Sequence, residues 1–169
     1  RQIFSWALSK KWDVYASIVP WGICTYYLDP KALDGLIGEV MGRSSPVQDP
    51  DLSFQVQLPD EWDPTLARVN IGVTAGVETN LCSQVWVEAC KKMHMVIVPS
   101  TFTKKTFVDS GVPEHKIVVI PEAHSCSNEI SLKLDDQLSD LPTSFNFLMF
   151  GQVTGNNPEN DRKNTFYAM

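Results

Sequence analysis

"VIVPSTFTKKTFVDSGVPEHKIVVIPE", Val96 to Glu122, decides the fold. An apolar run leads into Ser100, a residue type that caps helices. Phe102, Phe107 and Val108 then offer core-facing side chains at helical spacing. Gly111 stands where a left-handed C-cap belongs, and Pro113 blocks continuation before a second apolar run, "KIVVIPE". Two strands joined by one short helix run parallel, because the connection is a crossover and not a hairpin. In sheets of this kind the carboxyl tips of the strands open on the ligand crevice, which places Ser100 and Glu122 on the functional edge.

Upstream, the same alternation of elements is repeated. Ser83 heads a helix whose Trp86, Ala89, Cys90 and Met93 form an inward stripe, with Glu88 and Lys92 spaced for an outer ion pair. "LSFQVQLP" alternates Leu52, Phe54 and Val56 and stops at a proline, and "RVNIGVTAG" supplies another strand. "DPKALDGLIGEVMGR" predicts a helix with Asp29 as N-cap, Pro30 in the first turn and Leu33, Leu36, Ile37 and Val40 on one face. "VYASIVP", Val14 to Pro20, predicts a buried strand, and Ile3, Phe4, Ala7 and Leu8 a preceding helix closed by Lys10 and Lys11. The sum is an α/β fold: a Rossmann-like parallel sheet with flanking helices.

The 169 residues carry a net charge of -6 and a sequence pI of about 5.0, so there is no overall basic surface to condense on nucleic acid. No apolar run reaches the roughly 18 residues of a membrane span. The N-terminus lacks the apolar core of a signal peptide, and a soluble, cytoplasmic protein is expected. Cys24, Cys82, Cys90 and Cys126 form no CxxC pair, and His94, His115 and His124 have no zinc-ligand spacing, so reduced thiols and no metal are expected.

After Glu122 the chain turns polar and acidic, a linker over 123–143, until "FNFLMFG" begins a new strand. Gly151 ends that strand, and a loop leads to Arg162 and Lys163 at a helix start. Glycine admits backbone close to an anion, a helix N-terminus adds free N–H groups, and arginine matches phosphate oxygens. An Arg-Lys pair is also an ordinary solvated surface feature. In the cleft-side loops, Thr74, Glu78, Thr79 and Glu122 suit sugar hydroxyls, which both accept and donate, or serve only as caps and loop residues. Trp86 is expected in the core. Trp21 and Trp62 are open between ordinary surface and a cleft rim on which sugars stack.

The series W.E.C in a helix, V.VPS in a strand, SGVP ending a helix, KI.VIPE, then F.FL..G and RKN, resembles the GT-B glycosyltransferases of family 4 over roughly Asn70 to Asn164. The resemblance implies two Rossmann-like halves across a cleft, with the acceptor at the N-terminal half and a nucleotide-sugar donor at the other. It implies hexose transfer from a nucleotide-diphosphate sugar to a glycan, lipid or other hydroxyl acceptor, retaining and without a metal. Gly151, Arg162 and Lys163 fall at the donor diphosphate, with no cofactor beyond the nucleotide-sugar co-substrate. Residues 1–122 then read as an incomplete acceptor-side domain and 144–169 as the truncated start of the donor domain, an internal fragment expected to be inactive by itself.

Three departures bear on function. Gly151 is followed by Gln152 where many members have arginine, "VIPE" continues with Ala123, His124 and Ser125, and the family's acidic donor motif would lie beyond Met169. A Rossmann-like binding or scaffold module without catalysis is the competing expectation. A dinucleotide-dependent oxidoreductase fits less well, because no GxGxxG fingerprint is visible.

Overall fold

A computed structural model describes residues 2–17, 19, 29–45, 47–76, 79–122, 143, 145, 146 and 159. The chain divides into two compact units, Arg1–Ser125 and Cys126–Met169. In the second, Asn146 Nδ2 donates to the Thr143 carbonyl at 3.2 Å. The linker assigned to 123–143 and the strand from Phe145 lie almost wholly outside the described residues.

The first unit contains α1 (Gln2–Ser9), α2 (Leu36–Gly42), β1 (Leu52–Val56), β2 (Val69–Val73), α3 (Gln84–Lys92), β3 (Met95–Val98), α4 (Thr101–Asp109) and β4 (Ile117–Val119). The strands form one sheet in the order β1-β2-β3-β4, and every neighbouring pair is parallel. This is the expected α/β architecture, a Rossmann-like parallel sheet with helices packed against it. Ser83 and Ser100 cap their helices, accepting from Trp86 N at 3.4 Å and Thr103 N at 3.0 Å. α4 ends as its sequence predicts: Gly111 takes φ +110°, its N–H donates to Val108 O, and Val112 N donates to Phe107 O.

The pairing register sorts the side chains onto two unlike faces. Ser53, Gln55, Asn70, Gly72, Val96, Val98, Ile117 and Val119 share one face. α3 and α4 cover it, placing Val87, Cys90, Met93 and Phe107 with Val96, Val98 and Ile117 in a single core. Phe107 is completely buried, a contribution of about 2–3 kcal/mol on transfer from water. The opposite face is apolar from edge to edge, with Leu52, Phe54, Ile71, Val73, Ile97 and Val118 half-buried and Val56, Val69 and Met95 exposed.

The covered face is polar at the β1 edge. Asn70 is fully buried: its Nδ2 donates to Pro64 O and Ala67 O, each at 2.7 Å, and its Oδ1 accepts from Ser53 Oγ at 2.7 Å and Ala67 N at 3.0 Å. The Gln55 amide pairs with the backbone of Asp63, donating to its carbonyl at 2.7 Å and accepting from its N–H at 2.8 Å. Hydrogen bonds from the Thr65 hydroxyl and N–H hold the Asp63 carboxyl below the usual carboxylate range. Trp62 roofs this network. It is 7% exposed and donates through Nε1 to Gln55 O at 2.9 Å, so it is a core residue and no cleft-rim platform.

Several sequence expectations need correction. Val14–Ser17 and Val19 form no strand; Ala16 N donates instead to Arg43 O at 2.9 Å, using the backbone group a sheet would need. Asp29 caps a turn, accepting from Lys31 N at 2.9 Å, and the helix begins only at Leu36. Left-handed φ angles at Leu33, Asp34 and Gly35 interrupt the helix predicted from Asp29, and Leu33 is exposed. In α1 the last turn holds no lysine, since Lys10 and Lys11 lie just past its end. Phe102 is 55% exposed, leaving Phe107 and Val108 to the core. Glu88 pairs with Lys91 and not Lys92, at 2.9 Å.

Candidate functional site at the carboxyl edge of the sheet

The edge expected to carry function is built by the loops that leave β2, β3 and β4. Thr74 continues β2 by one residue: its N–H donates to Ile97 O at 3.1 Å, and its buried hydroxyl accepts from Gly76 N at 3.3 Å. Gly76 lies against α4. Gly76 has φ +81°, and a β-carbon on it would stand 2.4 Å from Thr103 Cγ2 and 3.1 Å from Phe107 Cε2. Glycine is therefore required twice here, by conformation and by contact. Farther on, the Thr106 hydroxyl reaches Thr79 O at 3.5 Å, and Ser110 Oγ accepts from Cys82 N at 3.0 Å while donating to Thr106 O at 2.7 Å.

Thr103, Thr106 and Ser110 thus form a stripe of hydroxyl-bearing residues at positions i, i+3 and i+7 of α4 and its cap, against which Gly76, Thr79 and Cys82 are held. Sequence reading attended to the strand tips and missed this stripe. Its signal was present in "STFTKKTFVDSG", where Thr103, Thr106 and Ser110 keep helical spacing beside Phe107.

The structure distributes the sequence candidates unevenly. Thr74 and Ser100 stand at the tips of neighbouring strands, Thr74 buried and Ser100 half-buried. Ser100 Oγ also lies 3.0 Å from Thr103 Oγ1, so its hydroxyl is engaged in the helix cap. Thr79 is exposed, and its hydroxyl donates to Leu81 O at 2.8 Å. Glu122 is exposed, three residues past the end of β4. Glu78, Gly151, Arg162 and Lys163 lie outside the described residues.

Chemically, the described part of this edge is a set of hydroxyls and backbone N–H groups with one exposed carboxylate. These hydroxyls have partners within the fold, at Gly76 N for Thr74, Leu81 O for Thr79 and Thr103 N for Ser100. Among the described residues no histidine, cysteine, aspartate or glutamate cluster is arranged to hold a metal ion. The thiol of Cys90 is pushed up to about 12, first by burial and then by Cys82, which makes it an inert core group. A groove of about 430 Å³ lies elsewhere, between the turn at Pro59–Glu61 and α3, lined by Pro59, Asp60, Trp62, Val85, Glu88 and Lys92. Of the sequence candidates among the described residues, Trp62 lines it, and Thr74, Thr79 and Glu122 do not. Trp86 Nε1 donates to Asp60 Oδ1 at 2.9 Å and fastens that turn to α3.

Comparison with protein-family models, with curated proteins and with solved structures returns no match. Among the described residues no helix is long and apolar enough to cross a membrane.

Proposed function

We propose that this chain belongs to a glycosyltransferase of the GT-B type and contributes most of its acceptor-side domain. The reaction is transfer of a sugar from a nucleotide-diphosphate sugar to a hydroxyl acceptor. The observation that carries the reading is the ordered series from the W.E.C helix through V.VPS, SGVP and KI.VIPE to F.FL..G and RKN. The parallel sheet supports it by bringing two links of the series to one edge, with V.VPS ending at the Ser100 cap and KI.VIPE ending at Glu122.

In this reading Thr74, Glu78, Thr79 and Glu122 face the acceptor, and Gly151, Arg162 and Lys163 receive the donor diphosphate. Two adjacent cations beside the leaving group stabilise the charge that develops on it as the glycosidic bond breaks. Hydroxyl-bearing residues on the acceptor side orient the attacking oxygen, so that reaction proceeds from an aligned complex. Retention of anomeric configuration and independence from metal are part of the proposal.

The test is calorimetric titration of the full-length protein with UDP and with GDP, beside an Arg162→Ala, Lys163→Ala double variant, followed by turnover assays with a panel of nucleotide sugars. Nucleotide binding that the double variant loses, together with sugar transfer, is the expected result. Absence of both binding and turnover across the panel would overturn the reading in favour of a non-catalytic binding module, the alternative that Gln152 beside Gly151 favours.

A further inference from the structure

Helix α1 ends in a turn that gathers two tryptophans and two lysines at the surface. Trp12 N donates to Ala7 O at 3.2 Å and Lys11 N to Leu8 O at 2.8 Å. These are the two backbone bonds of a Schellman cap, and Lys11, at φ +60°, occupies the left-handed position usually given to glycine. The apolar contact that accompanies such a cap is Trp6 against Trp12, edge to face, with ring centroids 5.1 Å apart and planes at 78°.

The two rings touch each other and stay half open to solvent. Trp6 is 48% and Trp12 46% exposed, and Ile3 and Tyr15 are also exposed. Among the described side chains of α1 only Ala7 is buried. The charge around the patch runs against that of the chain. From Gln2 to Trp12 the chain carries Lys10 and Lys11 and no acid, in a sequence of net charge -6. Asp13, the first carboxylate, is engaged: Oδ1 lies 3.4 Å from Arg43 Nη1, and Oδ2 accepts from the Tyr15 hydroxyl at 3.1 Å.

Indole rings, with an apolar body and one N–H, gain most where hydrocarbon meets polar headgroups, and lysine extends from such a position toward phosphate. We propose that α1 and its capping turn dock on an anionic phospholipid surface, with Trp6 and Trp12 entering the interface and Lys10 and Lys11 meeting the lipid phosphates. The left-handed Lys11 fits this use: the turn keeps a cation at its tip where glycine would be easier. None of these residues belongs to the donor or acceptor sites named above, so the two proposals fail separately.

The experiment is cosedimentation of the full-length protein with phosphatidylcholine vesicles, with and without phosphatidylglycerol, over a range of salt. Binding to the phosphatidylglycerol vesicles that weakens with salt is expected, with little binding to phosphatidylcholine alone. Lys10→Glu with Lys11→Glu should lower partitioning by at least roughly thirtyfold, the factor carried by two lysines near such a surface, whereas Lys10→Arg with Lys11→Arg should retain it. Trp6→Ser with Trp12→Ser should abolish it; the lysine variants decide if this pair misfolds. Equal binding to both vesicle types, binding indifferent to the lysine reversals, or no binding to phosphatidylglycerol vesicles would overturn the proposal, the last pointing to a protein partner on this face.

Discussion

The indole of Trp62 lies directly over Gly72: a β-carbon at position 72 would stand 2.6 Å from Cζ2 and Cη2 of the ring. The connection from β1 to β2 has no α-helix to cover the sheet, and this ring takes that place on the polar side of the core. Gly72→Ala should therefore cost about 2–3 kcal/mol through overpacking, and Trp62→Ala about 3–5 kcal/mol. In the double variant the two costs should fall well short of additive, because the clash vanishes with the ring. Urea denaturation of the four proteins checks this, and strict additivity would contradict the contact.

Asn70 uses both donor hydrogens and its acceptor oxygen in the buried network. Asn70→Asp keeps the shape, removes two donors and puts a carboxyl group in a site that is completely buried in the native protein. A loss of about 3–5 kcal/mol is expected near neutral pH. Ser53→Ala removes only one partner and should cost about 1–3 kcal/mol. Thermal melts rank the two; equal effects would show that the amide is not the centre of the network.

The Cys90 thiol ionises near 9.0 when unfolded and near 12 in the folded chain, because burial disfavours the thiolate. Above pH 9 the unfolded chain loses a proton that the folded chain keeps. Folding stability should therefore fall with rising pH through the window from about 9 to 12, with a slope set by one proton. Cys90→Ala should remove that part of the decline at high pH. In native buffer Cys90 should resist alkylation, and modification at the rate of a free thiol would contradict its burial.

Two helices end with the same pair of backbone bonds, α4 with Gly111 in the left-handed position and α1 with Lys11. Lys11→Gly should therefore stabilise the cap of α1 by up to about 1 kcal/mol. Gly111→Ala at the end of α4 should destabilise by a similar amount. Hydrogen exchange of the Trp12 and Val112 amides reports on each cap locally, and faster exchange at Trp12 in Lys11→Gly would contradict the assignment.

The unit from Val96 to Glu122 was legible because each boundary carried its own chemistry: Ser100, Gly111 and Pro113 act locally and need no knowledge of the rest of the chain. The Glu88 ion pair and the buried side of β1 were not legible, for different reasons. Lys91 and Lys92 both lie within reach of Glu88, and only rotamers separate them. In β1 the apolar alternation of Leu52, Phe54 and Val56 pointed to one face, while the partners that decide burial, Asn70 and the Asp63 backbone, are distant in sequence. The false strand at Val14 shows the same limit: β-branched composition cannot say whether a neighbouring edge exists to pair with. At the candidate site, the capping role of Ser100 and the helical spacing of Thr103, Thr106 and Ser110 were readable, whereas their contacts with Gly76, Thr79 and Cys82 depend on the tertiary fold.

The polar underside of β1 also settles a choice that oil and water alone would make the other way. Slide β1 by a single residue along β2 and Leu52, Phe54 and Val56 would come beneath Trp62, with Ser53 and Gln55 turned outward. By apolar transfer that slipped phase is the better one. It is excluded because Asn70, in a place no solvent reaches, would lose the Ser53 partner that satisfies it, and the Asp63 backbone would lose its pairing with Gln55. At this margin of the sheet a hydrogen-bonded key, cut by Ser53, Gln55 and Asn70, selects one alignment of the chain over its more greasy rival.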